Sequence, residues 1–158
     1  MSISLAVLLA AAQPTEPAAP PALGRTAWIF GTISHSEWCP AAPVRLDLRS
    51  GRYELTLKAR RPRCVDPRLE RPVRTGTLDG SRLAALRSAY LRVFEEGLEK
   101  PICREGGRPE EIIVSNGGTP ILVLATGWRT VSAGDDLSCW SEAASALHEL
   151  LDETFDRS

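Results

Sequence analysis

Apolar and polar residues alternate in two neighbouring runs of the sequence, at residues 44–48 and 53–57. A period of two is typical of strands that bury one face, and Gly51 lies in a short turn-forming segment between the runs. The pattern predicts an antiparallel hairpin. Its outward positions include Glu54 and Thr56, so we expect one face of the hairpin to contact solvent.

A third short strand is predicted at residues 73–78, followed by an amphipathic helix. Asp79-Gly80-Ser81 offers residues suited to the N-cap, and Gly97 and Pro101 mark the end of the helical pattern. The apolar side chains recur at helical spacing; they are Leu83, Leu86, Tyr90, Val93 and Phe94.

The second half of the chain repeats this order of elements without repeating the sequence. Residues 112–115 and 120–126 are rich in β-forming residues and are joined by Asn116-Gly117-Gly118. An Asn-Gly turn between two such runs predicts a second hairpin. A further short strand is expected at residues 129–131.

A last helix is predicted after Asp135-Asp136, because acidic side chains stabilise helix N-termini. Its apolar stripe consists of Leu137, Trp140, Ala144, Leu147, Leu151 and Phe155. Together the elements predict an α+β fold, with an antiparallel sheet of about four to six strands and two amphipathic helices packed on one face.

The composition is that of a globular domain. Of the 158 residues, 43% are hydrophobic and 25% are charged, and the formal net charge is −1. Such a balance gives no generic attraction to nucleic acid, and we expect no nucleic-acid partner. No stretch reaches the about 20 apolar residues of a transmembrane helix, so the chain is not expected to span a membrane. The strong preference for arginine over lysine favours a GC-rich bacterial genome.

The N-terminal segment predicts export. Residues 3–12 are apolar but short, and Ala10-Ala11-Ala12 supplies the small residues that a signal peptidase accepts. The Pro/Ala-rich run that follows is typical of a linker. We therefore expect a signal peptide at residues 1–12, a linker at 13–25 and one disulfide-stapled domain at 26–158, in a periplasmic or secreted protein.

Four cysteines are spread along the predicted domain: Cys39, Cys64, Cys103 and Cys139. An even number of cysteines in an exported domain predicts two disulfides, and three connectivities are possible. Zinc and redox sites usually contain close pairs such as C-x-x-C, whereas these cysteines are roughly 25 to 40 residues apart. The spacing therefore favours disulfides over a metal site.

Residues suited to catalysis are scarce. The two histidines are His35 and His148, and no G-x-S-x-G motif accompanies them. His35 lies in a polar stretch that is typical of an exposed loop. His148 and Asp152 are four residues apart, a spacing that can hold a metal, but Asp152 stands where the H-E-x-x-H motif needs its second histidine. We expect no catalytic residue, no metal and no cofactor, and hence no enzyme activity.

A cluster of arginines follows the first hairpin. Its members are Arg60, Arg61, Arg63, Arg68, Arg71 and Arg74. Guanidinium groups bind phosphate and carboxylate well, so the cluster is a candidate site for an acidic protein or an anionic envelope component. No aromatic residues interleave with these arginines, which disfavours single-stranded nucleic acid. The alternative is that they pair with the acidic C-terminal region of the same chain.

Three segments carry a likeness to a known family: YELTLKARRPRC, PICREGGRPEEIIVSNGG and DLSCWS. In the order of their strands, loops and cysteines they resemble the Streptomyces-type subtilisin inhibitors. The resemblance implies disulfides Cys103–Cys139 and Cys39–Cys64, and a reactive loop after Cys103 with its cleaved position at Glu105.

Three functions follow as hypotheses, of which an enzyme that uses His35 or the His148/Asp152 pair is not favoured, because no catalytic motif accompanies these residues. Export, cysteines, segregated charge and the lack of catalytic motifs favour a non-catalytic binding protein of the cell envelope. The alternative, implied by the resemblance, is a secreted protease inhibitor that acts through a disulfide-anchored loop.

Overall fold

Six strands and three α-helices form the part of the chain that the computed structural model describes, residues 23–33, 41–57, 71–110, 120–127 and 129–156. The strands are β1 (Ala27–Ile33), β2 (Ala42–Asp47), β3 (Arg52–Thr56), β4 (Val73–Thr77), β5 (Leu122–Thr126) and β6 (Arg129–Ser132). The helices are α1 (Gly80–Glu96), α2 (Pro101–Arg104) and α3 (Glu142–Asp156).

The strands form one antiparallel sheet in the order β4-β3-β2-β1-β5-β6. Alternation along β2 separates its two faces, because Val44 and Leu46 are buried whereas Arg45 and Asp47 are exposed. The register pairs Val44 with Leu55, so the buried residues of the two strands lie on the same side. The hairpin predicted from the alternation is thereby confirmed.

Helices α1 and α3 cover the buried face of the sheet. Leu86 and Tyr90 of α1 and Leu147 and Leu151 of α3 are almost fully buried in one core with the inward residues of the strands. The α+β fold, with an antiparallel sheet and two amphipathic helices on one face, is confirmed. Within the described residues, no helix is long and apolar enough to cross a bilayer.

Helix α1 has its N-cap at Asp79, one of the three predicted N-cap residues, and ends at Gly97, the first of the two predicted end residues. The Asp79 side chain accepts a hydrogen bond from the backbone N–H of Arg82 at 2.9 Å, which satisfies a free donor of the first turn. This hydrogen bond is the main cause that holds the pKa of Asp79 below its ordinary value. Gly97 ends the helix with a φ of 91°, in the region that favours glycine.

Strand β1 is not predicted from the sequence, although it is a central strand between β2 and β5. Its inward residues Ile29 and Ile33 are buried, and its outward residues Trp28 and Phe30 are apolar and half-buried. Apolar residues therefore occupy both faces, and the alternation that reveals a half-buried strand is missing.

Helix α3 is shorter than its apolar stripe predicts. Leu137 and Trp140 are outside the helix, because the Ser141 hydroxyl accepts a hydrogen bond from the Ala144 N–H at 3.1 Å and caps α3 there. Asp136 caps the 3₁₀ turn that contains Leu137 instead. The predicted helix start near Asp135-Asp136 is therefore wrong.

Some predictions fall outside the described residues. They include the signal peptide, most of the linker, the strand at 112–115 and its Asn116-Gly117-Gly118 turn. In this half of the chain the described hairpin is formed by β5 and β6, which confirms the short strand predicted at 129–131. At the other end, Leu23 is partly buried against the core.

Replacing Tyr90 by phenylalanine is expected to lower the free energy of unfolding by about 1–2 kcal/mol. The buried Tyr90 hydroxyl donates a hydrogen bond of 2.5 Å to the backbone oxygen of Ala125, which would lose this donor. Burial raises the pKa of Tyr90 above its ordinary 10.0, with hydrogen bonding to Thr126 acting in the opposite direction. The contribution of the protonated Tyr90 hydroxyl to the free energy of unfolding is therefore present below pH 10 and is lost as the pH rises further.

Urea unfolding of both proteins at pH 7 and above pH 10 tests this prediction. The difference between wild type and Tyr90→Phe should be largest at pH 7 and should shrink at alkaline pH. A difference that does not depend on pH would contradict the assigned ionisation of the buried tyrosine.

Candidate functional site

An open groove lies on the sheet face that points away from the helices. It extends over β2, β3 and β4 and has a volume of about 530 Å³. Its charged and threonine residues alternate in sequence with residues that point to the opposite face, and these charged and threonine residues are exposed. The side chains that line it on this face are Arg45, Asp47, Arg52, Glu54, Thr75 and Thr77.

Four charged side chains of the groove, which we call the charge quartet, form a two-by-two pattern. The quartet consists of Arg45 and Asp47 on β2 and of Arg52 and Glu54 on β3. The register pairs Arg45 with Glu54, and the same register continued along the hairpin places Asp47 beside Arg52. Each charge therefore has opposite charges as its nearest neighbours on the face, and the quartet has no net formal charge.

None of the quartet side chains forms an ion pair with another described residue. Asp47 is held by its own turn, since it accepts hydrogen bonds from the Arg49 N–H at 2.8 Å and the Ser50 hydroxyl at 2.7 Å. Partial burial raises the pKa of Asp47, but the hydrogen bonds from Ser50 and Arg49 outweigh it and hold the pKa below its ordinary value. The Asp47 carboxylate is therefore ionised at neutral pH.

The quartet stands on rigid elements. The guanidinium carbon of Arg45 lies 5.7 Å from the centroid of the Trp28 ring, a cation–π contact that orients Arg45 and leaves its charge in place. The turn between β2 and β3 is fixed to α1 by Arg87, which donates to the backbone oxygens of Leu48 at 2.7 Å and Arg49 at 2.8 Å. These contacts fix the orientation of Arg45 and the position of the β2–β3 turn.

The predicted arginine cluster lies only partly within the described residues. Its members outside them are Arg60, Arg61, Arg63 and Arg68. Arg71 is half-buried, and its Nη1 donates to the backbone oxygen of Ala41 at 2.9 Å. Arg74 pairs with Leu55 in the sheet, and its Nε and Nη2 atoms are buried without a hydrogen-bond partner. The structure therefore places both side chains partly inside the protein.

Arg71→Met and Arg74→Met form a matched pair of variants with different expected effects. Arg71→Met should lower the free energy of unfolding by about 1–2 kcal/mol, because a hydrogen bond from a charged group is lost. Arg74→Met should leave it unchanged or raise it by about 1 kcal/mol, because two buried donors without partners are removed. Urea unfolding measures both, and equal destabilisation would show that Arg74 has a partner in solution.

Cys103 and Cys139 form a disulfide, with their Cα atoms 5.7 Å apart. The bridge connects α2 to the 3₁₀ turn that precedes α3. It is the pairing implied by the resemblance, but two cysteines in adjacent segments can pair in many folds, so the bridge alone does not identify a family. Cys39 and Cys64 lie outside the described residues.

The loop after Cys103 has a turn conformation. Glu105 has φ −90° and ψ 6°, and its N–H donates to the backbone oxygen of Pro101 at 3.2 Å. Gly106 follows with a φ of 82°. The position that the resemblance assigns to the cleaved bond therefore lies in a turn and not in extended backbone.

His148 connects α3 to β1. Its Nε2 lies 2.7 Å from the backbone oxygen of Thr32, and its ring packs edge-on against Trp140 with 5.6 Å between the centroids. Across the described ranges, no three His, Cys, Asp or Glu side chains are grouped so that they could hold a metal ion. His35 is outside these ranges.

The charge quartet is not among the residues predicted from the sequence. The alternation in the predicted hairpin places the four residues of the quartet on the outward face, and this alternation is the sequence signal that could have identified them. Each of them is an ordinary exposed charge, however, and only the strand register joins them in one pattern. No protein-family model matches the chain, and neither does any curated protein or solved structure.

Proposed function

We propose that the protein is an exported, non-catalytic binding protein of the cell envelope that recognises another protein through the groove over β2, β3 and β4. The observation that supports this most directly is the charge quartet. It presents two cations and two anions that are exposed and have no ion-pair partner among the described residues. Charges in such an arrangement supply specificity and steer association when a partner offers the complementary pattern.

The balance of charge favours a protein over a polyanion as the partner. A nucleic acid or an acidic polysaccharide is held mainly by accumulated positive charge, and the quartet has none in excess. The hydroxyl groups of Thr75 and Thr77 add donors and acceptors on the β4 side. Alternating charges and hydroxyls match the mixed surface of a folded protein better than a repeating anion.

The inhibitor hypothesis has less support from the geometry. A loop that docks by adding a strand to its partner must be extended, whereas Glu105 lies in a turn immediately after α2. The exposed apolar side chain nearby, Ile102, is 46% exposed and does not by itself give this loop a binding role.

Charge variants test the groove. We define the acidic-face variant as Arg45→Glu with Arg52→Glu, and the helix control as Arg82→Glu with Arg92→Glu on the exposed surface of α1. Both variants replace two arginines by glutamates and therefore lower the net charge by the same amount. Tagged proteins are expressed in the native host, cross-linked, and recovered from the envelope fraction. We expect a cross-linked protein that wild type and the helix control share and that the acidic-face variant loses at least ten-fold.

The proposal fails if all three proteins recover the same partners in equal amounts, or if wild type recovers none. Circular dichroism and melting temperature of each variant show that a loss of partner does not come from unfolding. The export part has its own test, which is the intact mass of the protein from its host. Loss of about the first 12 residues supports export, and survival of the full chain in the cytosol overturns it.

A further inference from the structure

We infer that the partner in this groove is a second copy of the same chain, bound with the two sheets face to face about a two-fold axis. The inference rests on the proposed binding function of the groove and names its occupant. Its basis is that the charge quartet is self-complementary.

The symmetry argument uses only the positions of the four charges. Consider two copies that face each other about an axis parallel to the strands and midway between β2 and β3. Arg45 of each copy then lies over Glu54 of the other, and Asp47 lies over Arg52. The two-fold axis generates each of these two contacts twice, once in each direction between the copies. Four contacts between opposite charges result.

An axis perpendicular to the strands gives an equally favourable result. In that arrangement Arg45 of each copy lies over Asp47 of the other, and Glu54 lies over Arg52. Opposite charges meet in both cases because like charges occupy the diagonals of the quartet. If each strand instead carried charges of only one sign, the axis perpendicular to the strands would place like charges over each other.

The surroundings of the quartet fit a flat, symmetric contact. On β4 the neighbouring outward residues are Thr75 and Thr77, which are small enough to let a second sheet approach to the about 10 Å that separates packed sheets. Val73 at the start of β4 is 60% exposed and adds apolar area at the edge. On the β1 side of the quartet, Trp28 contacts Arg45, so this charge of the quartet is oriented before the two copies associate.

The expected dimer is weak and sensitive to salt. Strands β1 to β4 face the other copy in this arrangement; spaced about 4.8 Å apart, with about five residues each at about 3.3 Å, they cover about 320 Å². This is less than half of the about 800 Å² per partner that stable complexes bury. Affinity therefore depends on the quartet, whose attraction falls within a screening length of about 10 Å at 0.1 M salt. We expect dissociation constants of about 100 μM.

Sedimentation equilibrium tests the inference with the acidic-face variant and a basic-face variant, Asp47→Lys with Glu54→Lys. Wild type and the helix control should dimerise between about 10 μM and 1 mM, and about 0.5 M salt should weaken the association at least ten-fold. Each face variant alone should be monomeric. An equimolar mixture of the two should form a heterodimer tighter than the wild-type dimer. In the wild-type dimer the next-nearest charges across the interface have like signs, whereas in the heterodimer every charge across the interface has the opposite sign.

The inference is overturned if wild type stays monomeric at about 1 mM, if the face variants dimerise like wild type, or if the mixture stays monomeric. Asp47 also stabilises its turn, so Glu54→Lys alone replaces the basic-face variant if the double variant does not fold. Monomeric wild type together with a quartet-dependent partner from the envelope would refute the dimer and support the proposed function. Monomeric wild type without such a partner would refute both.

Discussion

Removing the Cys103–Cys139 disulfide is expected to lower the free energy of unfolding by about 2–4 kcal/mol. The bridge joins residues 36 positions apart, and in the chain-entropy account a cross-link of that length stabilises the fold mainly by restricting the unfolded chain. For a domain of this size the expected fall in melting temperature is about 4–16 °C. The variant to measure is Cys103→Ala with Cys139→Ala, because it leaves Cys39 and Cys64 unchanged.

The native contacts around the bridge explain why the fold should survive its removal. Lys100 donates its backbone N–H to the oxygen of Cys139 at 2.8 Å, and the Ser141 N–H donates to Leu98 at 2.9 Å. The Ser141 hydroxyl adds a hydrogen bond of 2.7 Å to the oxygen of Gly97. These hydrogen bonds hold the same two segments together without the sulfur atoms.

Two measurements separate the effects of the disulfide from those of its neighbours. Ser141→Ala should lower the free energy of unfolding by about 1 kcal/mol, because it removes the cap of α3. Cys103→Ala with Cys139→Ala should lower the free energy of unfolding by more than Ser141→Ala does. It should also retain the circular dichroism spectrum of wild type. A melting temperature unchanged from wild type would show that the unfolded chain is not restricted by this cross-link.

The elements that the sequence predicts correctly are those whose signals are local. Helix α1 is defined by Asp79 and Gly97, which act on the backbone within one turn of their own positions. The β2–β3 hairpin is defined by alternation on either side of Gly51, whose φ of 74° suits glycine. Such elements can be read from a short window because the residues that stabilise them are inside it.

Strand β1 shows why other elements escape prediction. Trp28 pairs with Asp47 on one side and with Ala125 on the other, so its neighbours come from distant parts of the chain. Its apolar outward residues are explained by a position in the middle of the sheet. That position depends on the order of the strands, which no local pattern contains.

The candidate site combines both kinds of information. Outward positions in the hairpin identify Arg45 and Glu54 as exposed side chains, and this much follows from alternation. That they are opposite each other depends on the register, which is set by the buried pairs such as Val44 with Leu55. The predicted arginine cluster, in contrast, was suggested by sequence density, and its described members Arg71 and Arg74 are half-buried.

Replacing Leu151 by alanine is expected to lower the free energy of unfolding by about 3–4 kcal/mol. Leu151 has no exposed surface and lies in α3 against the central strand β1. A Cβ added at Gly31 would lie 3.3 Å from Leu151 Cδ1 and 3.3 Å from the backbone oxygen of Ile121. The helix thus approaches the sheet closely at Gly31, and the shortened side chain would leave a cavity that the rigid sheet cannot fill.

A double-mutant cycle with Gly31→Ala tests whether this close approach is the cause. Alone, Gly31→Ala should destabilise the protein by about 1–3 kcal/mol, because the added methyl group is crowded by Leu151. In the Leu151→Ala background the same substitution should cost less, since the methyl group then occupies part of the cavity. Additive effects in urea unfolding would show that the sheet, and not α3, limits the space at Gly31. The contact would then be incidental to how the helix layer is held on the face opposite the groove.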